Sequence, residues 1–150
     1  MRVLVTGAAG FIGAAVAERL LGRGDSVVGI DNLNGYYAVS LKKDRVARVR
    51  AASGGERFEF RHVDFADMAA LEQGLADCAF ERIVHLGAQP GVRYSLENPH
   101  AYVQANVVGH LNSLELARQA SSARRWPNAS SAAATALSES TTSTTTTRYR

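Results

Sequence analysis

The chain has 150 residues, of which 46% are hydrophobic, and a formal net charge of +3 at neutral pH. This length fits one domain, no apolar run approaches the ~20 residues of a membrane span, and the single cysteine excludes an internal disulfide. Residues 1–120 carry 13 basic and 13 acidic side chains, so the expected folded part has no basic excess for nucleic acid, and we expect a soluble cytoplasmic protein.

The first thirty-two residues predict a strand, a glycine loop, a helix and a second strand. An apolar strand ends at Thr6, and a helix is expected over 11–22, with Ile12, Val16 and Leu20 on one face. The second strand ends at Asp31.

Further elements alternate in the same way along the chain. Residues 34–40 predict a loop and 41–52 a basic helix with Ser40 as its N-cap. A third strand should end at Asp64, and Asp67 should cap a helix to about residue 77, with Leu71 and Leu75 inward. A fourth strand over 82–86 and a loop over 87–99 precede a long helix over 99–119. That last helix carries one apolar stripe, formed by Val103, Val107, Leu111 and Leu114.

Strands that alternate with helices predict an α/β fold with a parallel, doubly wound sheet of Rossmann type. Four strands fit the N-terminal half of such a sheet, in the order 3-2-1-4, with the ligand crevice between strands one and four. We therefore expect a partial dinucleotide-binding domain over 1–120. Residues 121–150 contain 14 Ser or Thr and six Ala, which predicts a disordered low-complexity tail.

The glycine loop and the acid after the second strand predict a dinucleotide site. Gly7, Gly10 and Gly13 follow a strand and open a helix, so the backbone can approach a pyrophosphate at the helix N-terminus. Asp31 is placed to accept from the ribose hydroxyls and would repel a 2′-phosphate, which favours NAD over NADP. The alternative is a glycine turn in a protein of this architecture that binds no cofactor.

Two longer segments resemble the extended short-chain dehydrogenase/reductase superfamily of sugar-nucleotide epimerases and dehydratases. The residues at 29–34 (GIDNLN), 36–37 (YY), 40–42 (SLK) and 85–99 (HLGAQPGVRYSLENP), with the loop at 6–13, are similar to the UDP-glucuronate 4-epimerase branch. The resemblance covers about residues 1–120. Where that family usually has alanine, this chain has Gly87, expected to be harmless, and Pro90, which removes a backbone donor.

The resemblance implies a set of binding residues. Gly7, Gly10, Phe11, Ile12 and Gly13 would hold the pyrophosphate, Asp31 and Asn32 the adenosine ribose, and Asp64 and Phe65 the adenine. The nicotinamide half would be lined by Leu86, Gly87, Ala88 and Gln89, with Asn106 nearby, and Arg93 would face a UDP-sugar substrate. Simpler readings remain open: Asp64 as a strand-end cap, Asn106 as a partner of a neighbouring backbone, and Arg93 as a solvated loop charge.

The catalytic residues of that superfamily are not found in the sequence. Its Tyr-x-x-x-Lys pair is absent, because no tyrosine has a lysine four residues later, so no catalytic residue is assigned. The four histidines form no metal pattern, and none is assigned to a metal. His85 is predicted to be a hydrogen-bonded core histidine.

One hypothesis for the tail is out-of-frame translation. A one-nucleotide shift allows residues 148–150 to be read as Pro-Val-Ser, which in this family shortly precedes the catalytic tyrosine. The chain is then expected to be the N-terminal fragment of an NAD-dependent sugar-nucleotide 4-epimerase without turnover. Poor solubility is also expected, because an unpaired fourth strand and an uncovered helix would expose apolar surface.

Two alternatives to this function stay open. Within the enzyme class, the chain would belong to a sugar-nucleotide dehydratase or to another 4-epimerase. In a second class, it would be a standalone nucleotide-binding regulatory module. The family is commonly dimeric, so a homodimer is the expected assembly.

Overall fold

The computed structural model describes residues 1–123, in which strands and helices alternate as the sequence predicts. Residues Met1–Ala120 form one compact unit that holds the whole four-stranded sheet. The strands are β1 (Arg2–Thr6), β2 (Ser26–Asp31), β3 (Phe58–His62) and β4 (Arg82–His85). The helices are α1 (Phe11–Gly22), α2 (Val39–Ala51), α3 (Met68–Leu75), α4 (Val92–Glu97), α5 (Pro99–Tyr102) and α6 (Gly109–Ala123), with a 3₁₀ turn at Gly55–Arg57 and a π-helical segment at Val103–Val108.

The sheet is parallel throughout and has the order β3-β2-β1-β4. Thr6 pairs with Ile30 on one side and with His85 on the other, so the carboxyl ends of the three strands lie together. The predicted fold class and strand order are confirmed. In this order the chain leaves β1 toward one side of the sheet and returns to the other, which opens a crevice beside β1.

The core occupies both faces of the sheet because a parallel strand is buried on each side. One apolar cluster includes Val3, Val5 and Val27 and packs under α1 and α2. The other includes Leu4, Val28, Leu71 and Leu75, and the last two confirm the predicted inward face of α3.

Helix α1 has the predicted bounds but buries a different face from the one expected. Ile12 is 62% exposed, and Val16 and Leu20 are only partly buried. The buried positions are Gly13, Ala14, Ala17 and Leu21. Small residues on this face let the helix backbone approach the sheet closely, so the wider aliphatic residues lie at its flanks.

Several local expectations were wrong: β3 ends at His62 instead of Asp64, and three further differences concern the helices. Ser40 is not the N-cap of α2, because the helix begins at Val39 with Ala38 as the cap residue. The segment after β4 is not loop throughout, since α4 occupies Val92–Glu97. The last helix is interrupted by the π-helical segment and ends at Ala123, beyond the predicted residue 119. Asp67 does cap α3, and its side chain accepts from the Ala70 N–H at 3.1 Å.

The last helix keeps much of its apolar stripe in contact with solvent. Val103, Val107, Leu111 and Leu114 are 54–62% exposed. Within residues 1–123, β4 pairs with β1 alone, so the expected combination of an unpaired strand edge and an uncovered helix face is present. None of the described helices is both long and apolar enough to traverse a bilayer. The predicted disordered tail and the frame-shift hypothesis mainly concern residues 124–150, which lie outside the described part of the chain.

Candidate functional site

The loop between β1 and α1 forms a tight backbone cradle. Gly7 has φ +66°, and its carbonyl oxygen accepts from the Gly10 N–H at 2.9 Å. A Cβ atom on Gly13 would lie 2.0 Å from the Gly7 oxygen, and one on Gly10 would lie 2.9 Å from it. A side chain at position 10 or 13 would therefore collide with the Gly7 carbonyl. The three predicted glycines thus belong to one turn that needs glycine at each position.

Helix α1 presents unpaired donors at the mouth of this cradle. It has no side-chain cap, and the Ala14 N–H is the first to bond back, to the Gly10 carbonyl at 3.0 Å. Within the described residues, the N–H groups of Phe11, Ile12 and Gly13 have no hydrogen-bond partner. Such groups and the positive end of the helix dipole suit a phosphate. The cradle therefore fits the pyrophosphate of a dinucleotide.

Asp31 ends β2 beside this loop and is 6% exposed. Its Oδ2 accepts from the Ala9 N–H at 3.3 Å, and its Oδ1 accepts from the Leu33 N–H at 2.8 Å. The backbone thus orients the carboxylate at the end of the glycine loop, where the predicted ribose would lie. The Lys42 ammonium group also lies 3.4 Å from Oδ1.

Asn32 and Asp64 join β2 to the end of β3. The Asn32 amide donates to Asp64 Oδ2 at 3.0 Å, while Asp64 Oδ1 accepts from the Ala66 N–H at 2.8 Å. Asp64, two residues past the end of β3, thus bonds the backbone that follows it, which agrees with the strand-end-cap interpretation. It also contacts Asn32, the second predicted ribose residue. Phe65 differs, because its ring is buried in the core and makes a T-shaped contact with the His85 ring.

Thr6 connects the glycine loop to the segment after β4. Its hydroxyl oxygen accepts from the N–H groups of Leu86 and Gly87 at 3.1 and 3.0 Å. A Cβ on Gly7 would lie 2.9 Å from the Gly87 Cα, so the two segments that flank the crevice are in close contact. This arrangement places Leu86 and Gly87 directly beside the phosphate cradle.

His85 completes the Thr6 network. Its Nδ1 lies 2.8 Å from the Thr6 hydroxyl and 3.1 Å from that of Ser113. Both Thr6 lone pairs accept N–H groups, which favours Thr6 as the donor to Nδ1, and the Ser113 hydroxyl has the Gly109 carbonyl, at 3.0 Å, as an acceptor for its own proton. Partial burial, and secondarily His110, lowers the pKa of His85. The predicted hydrogen-bonded histidine is present, although it is half-buried on the edge strand.

Gln89 and Asn106 form a reciprocal pair. The Gln89 N–H donates to Asn106 Oδ1 at 2.7 Å, and the Asn106 amide donates to the Gln89 carbonyl at 3.1 Å. Asn106 therefore bonds a neighbouring backbone, as one of the interpretations expected. That backbone belongs to the segment predicted to line the nicotinamide half, which also includes the exposed Ala88. Asn106 lies in the π-helical segment, a feature often found at functional sites.

Aromatic side chains surround the following turn. The Tyr102 hydroxyl donates to the Pro90 carbonyl at 2.6 Å and also contacts the Gly91 carbonyl. The rings of Tyr36 and Tyr94 pack nearby at a tilt of 45°, with their centroids 5.1 Å apart. Desolvation, followed by the influence of Tyr36, raises the pKa of Tyr102. Arg93 is exposed at the start of α4, and within the described residues no hydrogen bond or ion pair joins it to the site.

The structure thus brings the predicted residues together in three linked groups, apart from Arg93. It also adds two residues to the site that the sequence did not indicate. Thr6 was read only as a strand end, and Lys42 only as one letter of a resembling segment. A threonine at the end of the first strand and a lysine on the inward side of α2 were the available signals. Within residues 1–123, no cluster of three or more metal-binding side chains is present.

The parallel sheet, the glycine cradle and the acid at the end of β2 define a dinucleotide-binding α/β domain. A family model described as GDP-mannose 4,6 dehydratase matches residues 4–149, and the chain belongs to this family of NAD-dependent epimerases and dehydratases. The family resemblance seen in the sequence is confirmed.

Curated relatives and solved structures agree with this assignment. The chain is 50% identical over 118 residues to a probable UDP-glucuronate 4-epimerase of Rhizobium meliloti, and the match covers 79% of this chain and 34% of that protein. It is 44% identical to protein CapI of Staphylococcus aureus, with the same coverage. The chain therefore spans about a third of the length of these relatives.

Two crystal structures with bound NAD have the same fold. UDP-glucuronic acid 4-epimerase from Bacillus cereus, in complex with NAD, matches with a TM-score of 0.58 and 34% identity, over 73% of this chain and 33% of that one. UDP-glucose 4-epimerase of Thermus thermophilus, also with NAD, matches with a TM-score of 0.66 and 35% identity, over 81% and 35%.

Proposed function

We propose that this chain is the NAD-binding part of a UDP-sugar 4-epimerase, with UDP-glucuronate as the substrate of the complete enzyme. The observation that carries the proposal is the glycine cradle, with three free N–H groups at the N-terminus of α1 and Asp31 oriented beside it. The similarity to UDP-glucuronate 4-epimerases supports the choice of sugar. A dehydratase or another 4-epimerase is the runner-up within the enzyme class.

Each group of site residues has one part in this proposal. The Gly7–Gly13 loop and the start of α1 hold the pyrophosphate, Asp31 accepts from the adenosine ribose with Asn32 beside it, and the segment 86–89 borders the nicotinamide half. Asn106 fixes that segment by bonding both backbone groups of Gln89. Bound NAD supplies the chemistry, which is reversible removal of a hydride from C4 of the sugar.

These 150 residues are proposed to bind NAD without turnover. Proton transfer in this family needs a tyrosine activated by a lysine four residues later, and no such pair occurs in the sequence. A contact between Arg93 and the UDP-sugar also remains a proposal. A regulatory nucleotide-binding module would share the cofactor site and differ in having no sugar substrate.

The proposed assembly is a homodimer, which would cover the exposed apolar stripe of the last helix. A cytoplasmic location and the absence of nucleic-acid partners stay predictions from composition and charge.

Binding of NAD to the full 150-residue chain tests the proposal directly. We expect saturable binding in calorimetry and an upward shift of the thermal transition with NAD. Gly10→Ala should weaken binding at least about tenfold, because the added Cβ would displace the Gly7 carbonyl of the cradle. Gly22→Ala is the matched control at the other end of α1, since its Cβ would meet nothing within 4 Å.

Two results would contradict the proposal. The first is an absence of NAD binding by a chain that melts cooperatively. The second is an equal loss of binding in Gly10→Ala and Gly22→Ala. Incubation with NAD and UDP-glucuronate should yield no UDP-galacturonate, and product formation would overturn the expected lack of turnover.

A further inference from the structure

Helix α2 places a charged side chain where its packing face is otherwise apolar. The buried residues of this helix are Lys42, Val46 and Val49, which follow one another at helical spacing. Burial of a lysine is costly unless its charge is paired, and an apolar residue would fill this position at no such cost. The position of Lys42 therefore calls for an explanation beyond packing.

The Lys42 ammonium group is directed into the ribose end of the nucleotide site. It lies 3.4 Å from Asp31 Oδ1 and 3.0 Å from Asn34 Oδ1, and its side chain is 8% exposed. Asn34 in turn donates to Gln89 Oε1 at 3.4 Å. Asp31 is thus one half of an ion pair rather than an isolated carboxylate.

This pairing changes the electrostatics that Asp31 alone would give. A carboxylate at the end of the second strand repels a 2′-phosphate and so selects NAD over NADP. With Lys42 in contact, the two charges sum to zero. An ammonium group has three N–H donors. Lys42 directs two of them at Asp31 and Asn34, so the third N–H is left for a further oxygen.

We propose that Lys42 is a specificity-determining residue of the ribose subsite, where its ammonium group neutralises Asp31 and reduces the rejection of a nucleotide that carries a 2′-phosphate. This inference rests on the proposed NAD site. The other cation of α2 near the loop, Arg45, contacts the Ala9 carbonyl at 3.5 Å and lies over the Phe11 ring. Within the described residues no hydrogen bond or ion pair joins Arg45 to Asp31, and all the variants below retain it.

The test measures binding of two probes, ADP-ribose and ADP-ribose 2′-phosphate, to the full chain by calorimetry. The quantity compared is the ratio of the dissociation constant of the phosphorylated probe to that of the plain one. Lys42→Met leaves Asp31 unpaired and should raise this ratio about tenfold, because the added phosphate carries a charge of about −2. Asp31→Asn leaves Lys42 unpaired and should lower the ratio about tenfold.

The double variant and a surface control separate charge from structural damage. Asp31→Asn combined with Lys42→Met restores a neutral subsite, so its ratio should return to that of the unmodified chain, even if both affinities fall. Lys43→Met removes an adjacent exposed charge of α2 and should leave the ratio unchanged. If Lys42 had only a structural role, Lys42→Met would weaken the binding of both probes equally. The ratio of their dissociation constants, measured within that variant, would then not change.

The outcomes distinguish this inference from the proposed function. If the unmodified chain binds both probes and Lys42→Met leaves the ratio unchanged, the specificity role is overturned while the nucleotide site stands. If the unmodified chain binds neither probe, the proposed function and the role of Lys42 are both overturned. A raised ratio in Lys42→Met that the double variant reverses establishes the role.

Discussion

The side chain of Thr6 has one proton and two lone pairs, and the structure uses all three. Two N–H groups of the crevice segment donate to its oxygen, and its proton goes to His85 Nδ1. A protonated imidazole could not accept that proton, so this one hydrogen bond between β1 and β4 needs a neutral His85. A single titration is thereby coupled to the geometry of the crevice.

We expect the unfolding free energy of the chain to fall as the pH drops below about 6.5. The pKa of His85 is lowered in the folded state, so the unfolded chain binds the proton first and acid favours unfolding. The contribution is intact above the unfolded pKa and is lost toward the folded one. Denaturant titrations at several pH values between 7.5 and 5.5 measure it.

His85→Asn should reduce this pH dependence, because an amide oxygen can accept the Thr6 proton and does not titrate. His100→Asn, an exposed change in α5, serves as the control and should retain the pH dependence of the unmodified chain. Equal pH dependence in His85→Asn and the unmodified chain would show that His85 is not the group responsible.

Packing between elements centres on the buried ring of Phe65. A Cβ on Gly87 would lie 2.4 Å from Cε1 of this ring, and one on Gly109 would lie 2.4 Å from Cε2. The ring thus lies between the segment after β4 and the start of α6. Gly87 and Gly109 both make room for this ring, and the expectation that glycine at position 87 is harmless to the cofactor pocket stays a prediction.

Gly87→Ala should therefore destabilise the chain by about 1–3 kcal/mol, the usual cost of overpacking. Phe65→Leu should recover part of that loss in the double variant, because the two sites are in contact and their effects are not additive. Gly35→Ala is the control, since its Cβ would meet nothing within 4 Å. Additive effects of Gly87→Ala and Phe65→Leu in denaturant unfolding would refute this packing account.

Elements with strong local signals were predictable from the sequence, and features that depend on tertiary contacts were not. The bounds of α1, the inward side of α3 and the strand order followed from glycines, periodicity and alternation. Helix α4 was missed because it has six residues, none of them buried. The π-helical segment was missed because such segments are rare and have no sequence period of their own.

The candidate site divides in the same way. The glycine loop and Asp31 could be predicted from their spacing, because both belong to one strand–loop–helix–strand segment that is continuous in the sequence. The pairing of Lys42 with Asp31 joins two elements across eleven positions and depends on how α2 lies against β2. Periodicity shows that a residue faces inward, but it does not show which charge that residue meets.

At the scale of the whole molecule, the apolar stripe of the last helix should govern association. We expect a homodimer in sedimentation velocity, because four large aliphatic side chains on one face remain more than half exposed. Leu111→Lys should shift the chain toward monomer and raise its solubility.

Leu41→Lys provides the control, because Leu41 is also an exposed leucine, 44% exposed, but lies on α2. It should leave the association unchanged. An unmodified chain that sediments as a monomer over the accessible concentration range would contradict the proposed dimer. So would an equal effect of the two lysine substitutions.

The strand order also has a kinetic consequence for synthesis. β1 and β2 both lie within the first 31 residues and can pair early, whereas the other neighbour of β1 begins only at Arg82. Closing the longer loop costs about 1 kcal/mol more in chain entropy. During translation the glycine loop between β1 and α1 can therefore form before the segment after β4 has been synthesised, and the crevice is completed last.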